Sequence, residues 1–126
     1  MQLDHVTIAV RSLERSLPYY AALLALLGFT RRSEHVWHNG AGFFFQFRQA
    51  RADTPDYDRY GVGMNHLGFP APDAKTVRRV RQAMLDAGFA APEIQDLDGA
   101  IALFMRDPDG IRFELTYYPP GCNVVD

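Results

Sequence analysis

The amino-acid sequence predicts an α+β fold made of two copies of one strand–helix–three-strand unit. Two observations carry that prediction: an internal repeat, and a change of hydrophobic period inside each copy. Leu3-Asp4-His5-Val6-Thr7-Ile8-Ala9-Val10 runs into a helical stretch closing on Leu27-Gly28-Phe29, and Met64-Asn65-His66-Leu67-Gly68-Phe69 into one closing on Ala87-Gly88-Phe89. His5 precedes Phe29 by 24 residues and His66 precedes Phe89 by 23. Gly42-Phe43-Phe44-Phe45-Gln46-Phe47 then aligns with Gly110-Ile111-Arg112-Phe113-Glu114-Leu115. The expected organisation is one domain over residues 1–126, with repeats at about 1–50 and 64–118 joined by a polar linker at 49–63.

Each element has a local reason. In the first strand Val6, Ile8 and Val10 alternate with His5, Thr7 and Ala9, the period of a sheet with two unlike faces. Ser12 is placed to cap the first helix with Glu14 in its first turn, Tyr20, Leu23, Leu24 and Leu27 give helical spacing, and Gly28 stops it. Pro18 predicts an irregular start to that helix. In the second copy Asp73 caps, Val77, Val80, Met84 and Ala87 form the buried stripe, and Gly88 stops. Further strands are expected at about 29–34, 35–38 and 42–48, and at about 92–96, 100–106 and 110–117, with hairpin turns at Asn39-Gly40 and Asp109-Gly110. Two such sheets, each with a helix on one face, can bury a single core only by pairing.

The totals exclude several classes of function. The net charge of −2 gives no general attraction to nucleic acid or anionic membrane, so neither is expected as a partner. No apolar run approaches the roughly 18 residues a membrane span needs, and the first residues lack the pattern of a signal peptide. Cys122 is the only cysteine, so no intrachain disulfide forms and a reducing cytoplasm is the expected location. Lys75, Arg78, Arg79 and Arg81 read as a solvated helix face. There is no Gly-rich phosphate loop, nucleophile elbow or Cys-rich zinc motif.

The polar residues on the strands carry the chemistry. If Val6, Ile8 and Val10 pack beneath a helix, His5 and Thr7 face the opposite, concave side, and the same parity places His66 there. In the last strand Ile111, Phe113, Leu115 and Tyr117 form one face, and Arg112, Glu114, Thr116 and Tyr118 the other. Gln46 is the counterpart of Glu114, so the repeat puts His5, Gln46, His66 and Glu114 at related positions. Two imidazoles and a carboxylate are a common set for a catalytic divalent metal with open positions for substrate. The alternative is a set of hydrogen-bonded polar residues in a sheet. Arg48, Arg112 and Tyr118 share these faces and are candidates for an anionic substrate group, or for a plain rim. His38 is a candidate substrate contact, and Phe44 and Trp37 are candidate pocket walls, with surface and core as the respective alternatives.

These motifs resemble the vicinal oxygen chelate superfamily, which comprises glyoxalases, bleomycin-resistance proteins and extradiol dioxygenases. The resemblance rests on Leu3–Thr7 before Leu26-Leu27-Gly28-Phe29, on Met64–Phe69, and above all on Asp107-Pro108-Asp109-Gly110-Ile111-Arg112-Phe113-Glu114. It implies paired βαβββ modules forming a cupped, incompletely closed eight-stranded mixed sheet with helices on its outer face. It further implies a divalent metal (Ni, Zn, Mn, Fe or Mg) on His5, His66 and Glu114, with Gln46 completing or bordering the set. The expected activity is that of an isomerase, lyase or related transferase on a small oxygen-rich substrate. Metal chelation and oxyanion stabilisation would drive it, with Glu114 doubling as a base.

Gln46 departs from the second glutamate usual in bacterial glyoxalase I, and glutamine takes no proton at neutral pH. A His-Gln-His-Glu set resembles methylmalonyl-CoA epimerase. With Gln46 outside the set, His5, His66 and Glu114 plus a catalytic Thr7 resemble the fosfomycin thiol transferases, although Gln95–Ala100 lacks their cation loop. Extradiol dioxygenases share the triad on longer chains. The rival from another class is a metal-free binding protein of the bleomycin-resistance type. The resemblance also implies a homodimer.

Overall fold

The computed structural model describes residues 1–122 and resolves into two compact units, Met1–Asp56 and the described residues from Tyr57 onward. The first holds β1 (His5–Val10), α1 (Leu13–Leu26), β2 (Thr30–Ser33), β3 (Val36–His38) and β4 (Phe44–Gln49). The second holds β5 (Leu67–Pro70), α2 (Ala74–Asp86), β6 (Gln95–Leu97), β7 (Ala100–Arg106) and β8 (Arg112–Tyr117). Both are βαβββ, as the repeat predicts. Their four-stranded mixed sheets have the same topology, β1-β4-β3-β2 and β5-β8-β7-β6, with the first and last strands of each unit paired in parallel.

Parity along the strands separates core from site. Ile8 and Val10 on β1, Trp37 on β3, and Phe45 and Phe47 on β4 are buried on the face that meets α1. There Tyr20 lies 4.1 Å from Phe47 and Phe29 lies 5.2 Å from Phe45, centroid to centroid. The second unit builds the same layer mainly from non-aromatic side chains around Phe113: Val77, Val80 and Met84 of α2 cover the face carrying Leu103, Met105, Phe113 and Leu115. Such burial stabilises by roughly 1.5–3 kcal/mol per large side chain. The outer strands β2 and β6 are short, polar and wholly exposed, which blunts these edges against unwanted pairing.

The helix ends explain why Gly-Phe recurs. Gly28 has φ +87° and donates to Ala25 O, while Phe29 N donates to Leu24 O at 2.8 Å. Gly88 (φ +88°) and Phe89 repeat this on Leu85 O and Met84 O. Both are Schellman stops, in which a left-handed glycine closes the helix and the next residue folds an apolar side chain back. At the other ends Ser12 Oγ accepts from Arg15 N and Asp73 Oδ1 from Thr76 N. The buried Asp107 likewise accepts from the backbone N–H of Asp109 and Ile111, so the Asp-Pro-Asp-Gly motif is a pinned turn that sets where β8 begins.

Three local expectations are corrected, and one turn is added. The helix α1 starts regularly at Leu13 and carries Pro18 inside it; Glu14 and Pro18 are exposed, so water can satisfy the carbonyl that loses its donor. Ala87 is the exposed C-cap of α2 and not part of the buried stripe, because the helix ends there and the chain turns away through Gly88. His35 lies in the β2–β3 turn, outside the strand expected to hold it. Asp98-Gly99, with φ of 54° and 97°, forms an unforeseen tight hairpin between β6 and β7.

Two stability tests follow from the caps. In Gly28→Ala nothing crowds the added methyl, so the left-handed backbone alone sets the cost, about 1–2 kcal/mol in urea unfolding. The Thr76 hydrogen bonds hold the Asp73 carboxyl below its ordinary 3.8, so its contribution is present above that pH and is lost as pH falls through the lowered value. The melting temperature of Asp73→Ala should therefore lie below wild type at neutral pH, and the gap should shrink in melts taken well below pH 3.8.

Candidate metal and substrate site

In the first unit the face turned away from α1 carries His5 and Thr7 on β1, Val36 and His38 on β3, and Phe44, Gln46 and Arg48 on β4. The register sets His5 beside Phe44 and Thr7 beside Gln46. The His5 ring stacks on Phe44 at 4.8 Å with 12° between planes, and its Nδ1 lies 2.5 Å from Asp4 Oδ2. Thr7 Oγ1 donates to Gln46 Oε1 at 3.4 Å. Phe44 and His38 line a cleft of about 720 Å³ together with Arg32, Ser33, Val36 and Phe43. Arg48 is exposed at the end of the strand. Trp37 is on the other face: it is 2% exposed and packs edge-on against Phe47, so it belongs to the core and supplies no wall to this cleft.

In the second unit the corresponding face carries Phe104 and Arg106 on β7 and Arg112, Glu114 and Thr116 on β8. His66 stands one residue before β5. Its Nε2 lies 3.0 Å from Glu114 Oε2, and its ring meets Phe104 edge-on at 6.2 Å. The buried Thr116 hydroxyl donates to Glu114 Oε1. Arg112 lays its guanidinium over Phe104, 3.9 Å from the ring centroid. Burial, then the charges of Arg59 and Arg106, lower the Arg112 pKa from its ordinary value. Tyr118 follows β8 and is 39% exposed.

Hydrogen bonding fixes which histidine nitrogen is available. Asn65 Nδ2 donates to the Arg59 carbonyl at 2.9 Å, so its Oδ1 is turned to His66 Nδ1, 2.7 Å away, and must accept. Nδ1 therefore carries the hydrogen, and Nε2 of a neutral ring presents a lone pair to Glu114 Oε2. Two acceptors at 3.0 Å repel unless a cation, either a proton or a metal, lies between them. Asp4 does to His5 what Asn65 does to His66, leaving that Nε2 free as well. A ligating histidine usually carries such a partner, which fixes its tautomer and orientation.

The donor set of the second unit thus suits a divalent cation: one imidazole and one carboxylate oxygen, close enough to share an ion at ordinary bond lengths of about 2.0–2.2 Å. Within each unit, among the described residues, no three His, Cys, Asp or Glu side chains group as metal ligands. The second unit brings His66 and Glu114 together, and the first brings His5 to Phe44 and Thr7 to Gln46. Three contributors escaped the sequence reading, Asp4, Asn65 and Arg59, and Thr116 was placed on the right face without its bond to Glu114. For Asp4 and Asn65 a signal existed, since the repeat aligns them directly before each histidine.

Paired βαβββ units with polar groups on the face away from the helix define a class of protein, and the comparisons name it. The profile of the Glyoxalase/Bleomycin resistance protein/Dioxygenase superfamily matches residues 2–115. The chain belongs to this superfamily. It is 28% identical to YqjT of Bacillus subtilis (strain 168), an uncharacterized protein, over 95% of this chain and all of that one. Among solved structures, one described as a candidate glyoxalase from Bacillus halodurans superposes with a TM-score of 0.79 at 25% identity, covering 91% of this chain and 94% of that one. A glyoxylase/bleomycin resistance protein/dioxygenase domain from Frankia sp. EAN1pec has the same fold, with a TM-score of 0.72 at 22% identity over 93% and 97% of the two chains. Among the described residues no helix is long and apolar enough to cross a membrane.

The role assigned to Asn65 is testable. Asn65→Ala should free the His66 ring to change tautomer and weaken divalent-metal binding about 10–100-fold while leaving the fold intact. Calorimetric titration with Ni or Zn beside wild type measures it, and equal affinity would remove Asn65 from the site.

Proposed function

We propose that this chain is a metal-dependent enzyme of its superfamily, an isomerase, lyase or related transferase acting on a small oxygen-rich molecule. The ligands in this reading are His5, His66 and Glu114, with Gln46 at the border. The single observation that carries it is the His66 Nε2–Glu114 Oε2 pair, 3.0 Å apart with the other nitrogen of the ring committed to Asn65. When bound, the metal supplies Lewis acidity to a substrate oxygen. Glu114 is the group able to hold or move a proton beside that oxygen. Thr116 occupies its Oε1 and so presents Oε2 to the site. Gln46 accepts from Thr7 and offers no base of its own, which leaves Glu114 alone in that role. A cytoplasmic homodimer is part of the same reading.

One observation favours a second reading. The 720 Å³ cleft lined by Phe43, Phe44, Val36 and His38 suits an aromatic or apolar ligand held without metal. Elemental analysis and titration with Ni, Zn, Mn and anaerobic Fe(II) separate the two. Near-stoichiometric metal in wild type, weakened at least about tenfold in His66→Ala and Glu114→Gln, is the expected result. No binding of any of these ions would overturn the enzyme reading in favour of the sequestering one.

A further inference from the structure

We propose that Arg59 and Arg112 form an oxyanion subsite beside the His66–Glu114 pair, so that the substrate carries a carboxylate or phosphate group. This deepens the metalloenzyme reading and rests on it for the word substrate. The subsite itself stands on different residues. Arg112 is half-buried, flattened on Phe104 at 3.9 Å, and its guanidinium forms no ion pair or hydrogen bond among the described residues. Stacking uses the face of the guanidinium and leaves its N–H edge directed outward, the geometry that receives a two-oxygen anion. Arg59 stacks on Tyr60 at 4.6 Å and donates through Nη2 to the Tyr60 hydroxyl, while its Nη1 is buried without a hydrogen-bond partner.

Two features make this more than a solvated pair of arginines. A buried guanidinium nitrogen without an acceptor is costly, and an incoming oxygen would relieve it. Arg106 also stands opposite Arg112 in the β7–β8 register, and Asn65 ties the Arg59 segment to His66. Glu114 is already committed, Oε1 to Thr116 and Oε2 to the proton or ion it shares with His66. Arg106 and Arg112 therefore stand side by side, and Glu114 on the same face is already committed. Phe104 touches both Arg112 and His66, so an anion on the Arg112 edge sits beside the reacting pair. The first unit has Phe44 where Arg112 stands, and it stacks on His5 instead. Each unit's polar face therefore has its own character, aromatic in the first and cationic in the second.

The test uses metal-stripped full-length protein and reads the arginine Nε–Hε signals by ¹⁵N NMR while pyruvate or inorganic phosphate is added. Saturable shifts of the Arg59 and Arg112 signals are expected. Affinity should fall at least about tenfold in Arg112→Gln and in Arg59→Gln, partly in Arg112→Lys, and not in Arg78→Gln, which removes the same charge from the exposed face of α2. Saturation by pyruvate alone assigns a carboxylate and by phosphate alone a phosphate; either supports the subsite. No saturable shift with either anion, or wild-type affinity in both glutamine variants, overturns it. Arg59 lies in a loop, so its variant stands if Arg112→Gln fails to fold. His66→Ala separates the two readings: it should abolish metal binding and leave the anion shifts. Metal retained without anion binding sinks the subsite alone, and anion binding without metal sinks the metal site alone.

Discussion

Everything at the candidate site depends on the parallel register between the first and last strand of each unit. That pairing, β1 with β4 and β5 with β8, fixes which side chains share a face, because successive residues of a strand point to opposite sides. A slip of one residue in β8 would bury Glu114 under α2 and expose Phe113 and Leu115. The buried Asp107, accepting from two backbone N–H groups, holds the register at the start of β8. The Schellman turns at Gly28 and Gly88 fix where the chain leaves each helix. The polar residues can be placed accurately because the apolar face leaves no other choice: burying a carboxylate among Met84, Leu103 and Met105 would cost several kcal/mol.

Most of the fold was therefore legible. A period-two strand, a helix stripe and a glycine stop each leave a local signature, and repetition of all three in one order marks two units. What the sequence concealed has physical causes too. Pro18 sits where its lost hydrogen bond faces solvent, and nothing in its identity distinguishes that from a buried break. Asp98-Gly99 makes a tight turn after β6, a strand too short and polar to show alternation. Trp37 was ambiguous because an aromatic residue fits a core and a pocket equally well, and only the pairing with Phe45 puts it on the helix side.

The candidate site was legible in its ligand-type residues and obscure in their supports. His5, His66 and Glu114 stand out because their chemistry is unusual on strands. Asp4, Asn65 and Thr116 do not, since such residues are ordinary in caps, turns and strand ends, and their role appears only once a hydrogen bond is seen. Arg59 was hidden more deeply. It lies in the segment between the repeats, and the Asn65 Nδ2 bond to its carbonyl is what ties that segment to His66.

Comparison of the units shows which constraints the fold imposes and which it leaves free. Apolar positions on the helix side keep their burial while several change kind: Phe45 answers Phe113, but Phe47 answers Leu115 and Tyr20 gives way to Val77 or Val80. On the other face the histidine and its hydrogen-bonding predecessor recur in both units, whereas Gln46 answers Glu114, Phe44 answers Arg112 and Thr7 answers Gly68. The core tolerates exchange among hydrophobic residues because it asks only for volume and shape. The polar face is under no such demand, so what recurs there needs another reason. An imidazole held in one tautomer by its neighbour, twice over, contributes little to folding at an exposed position. It contributes a great deal to a site that needs Nε2 free.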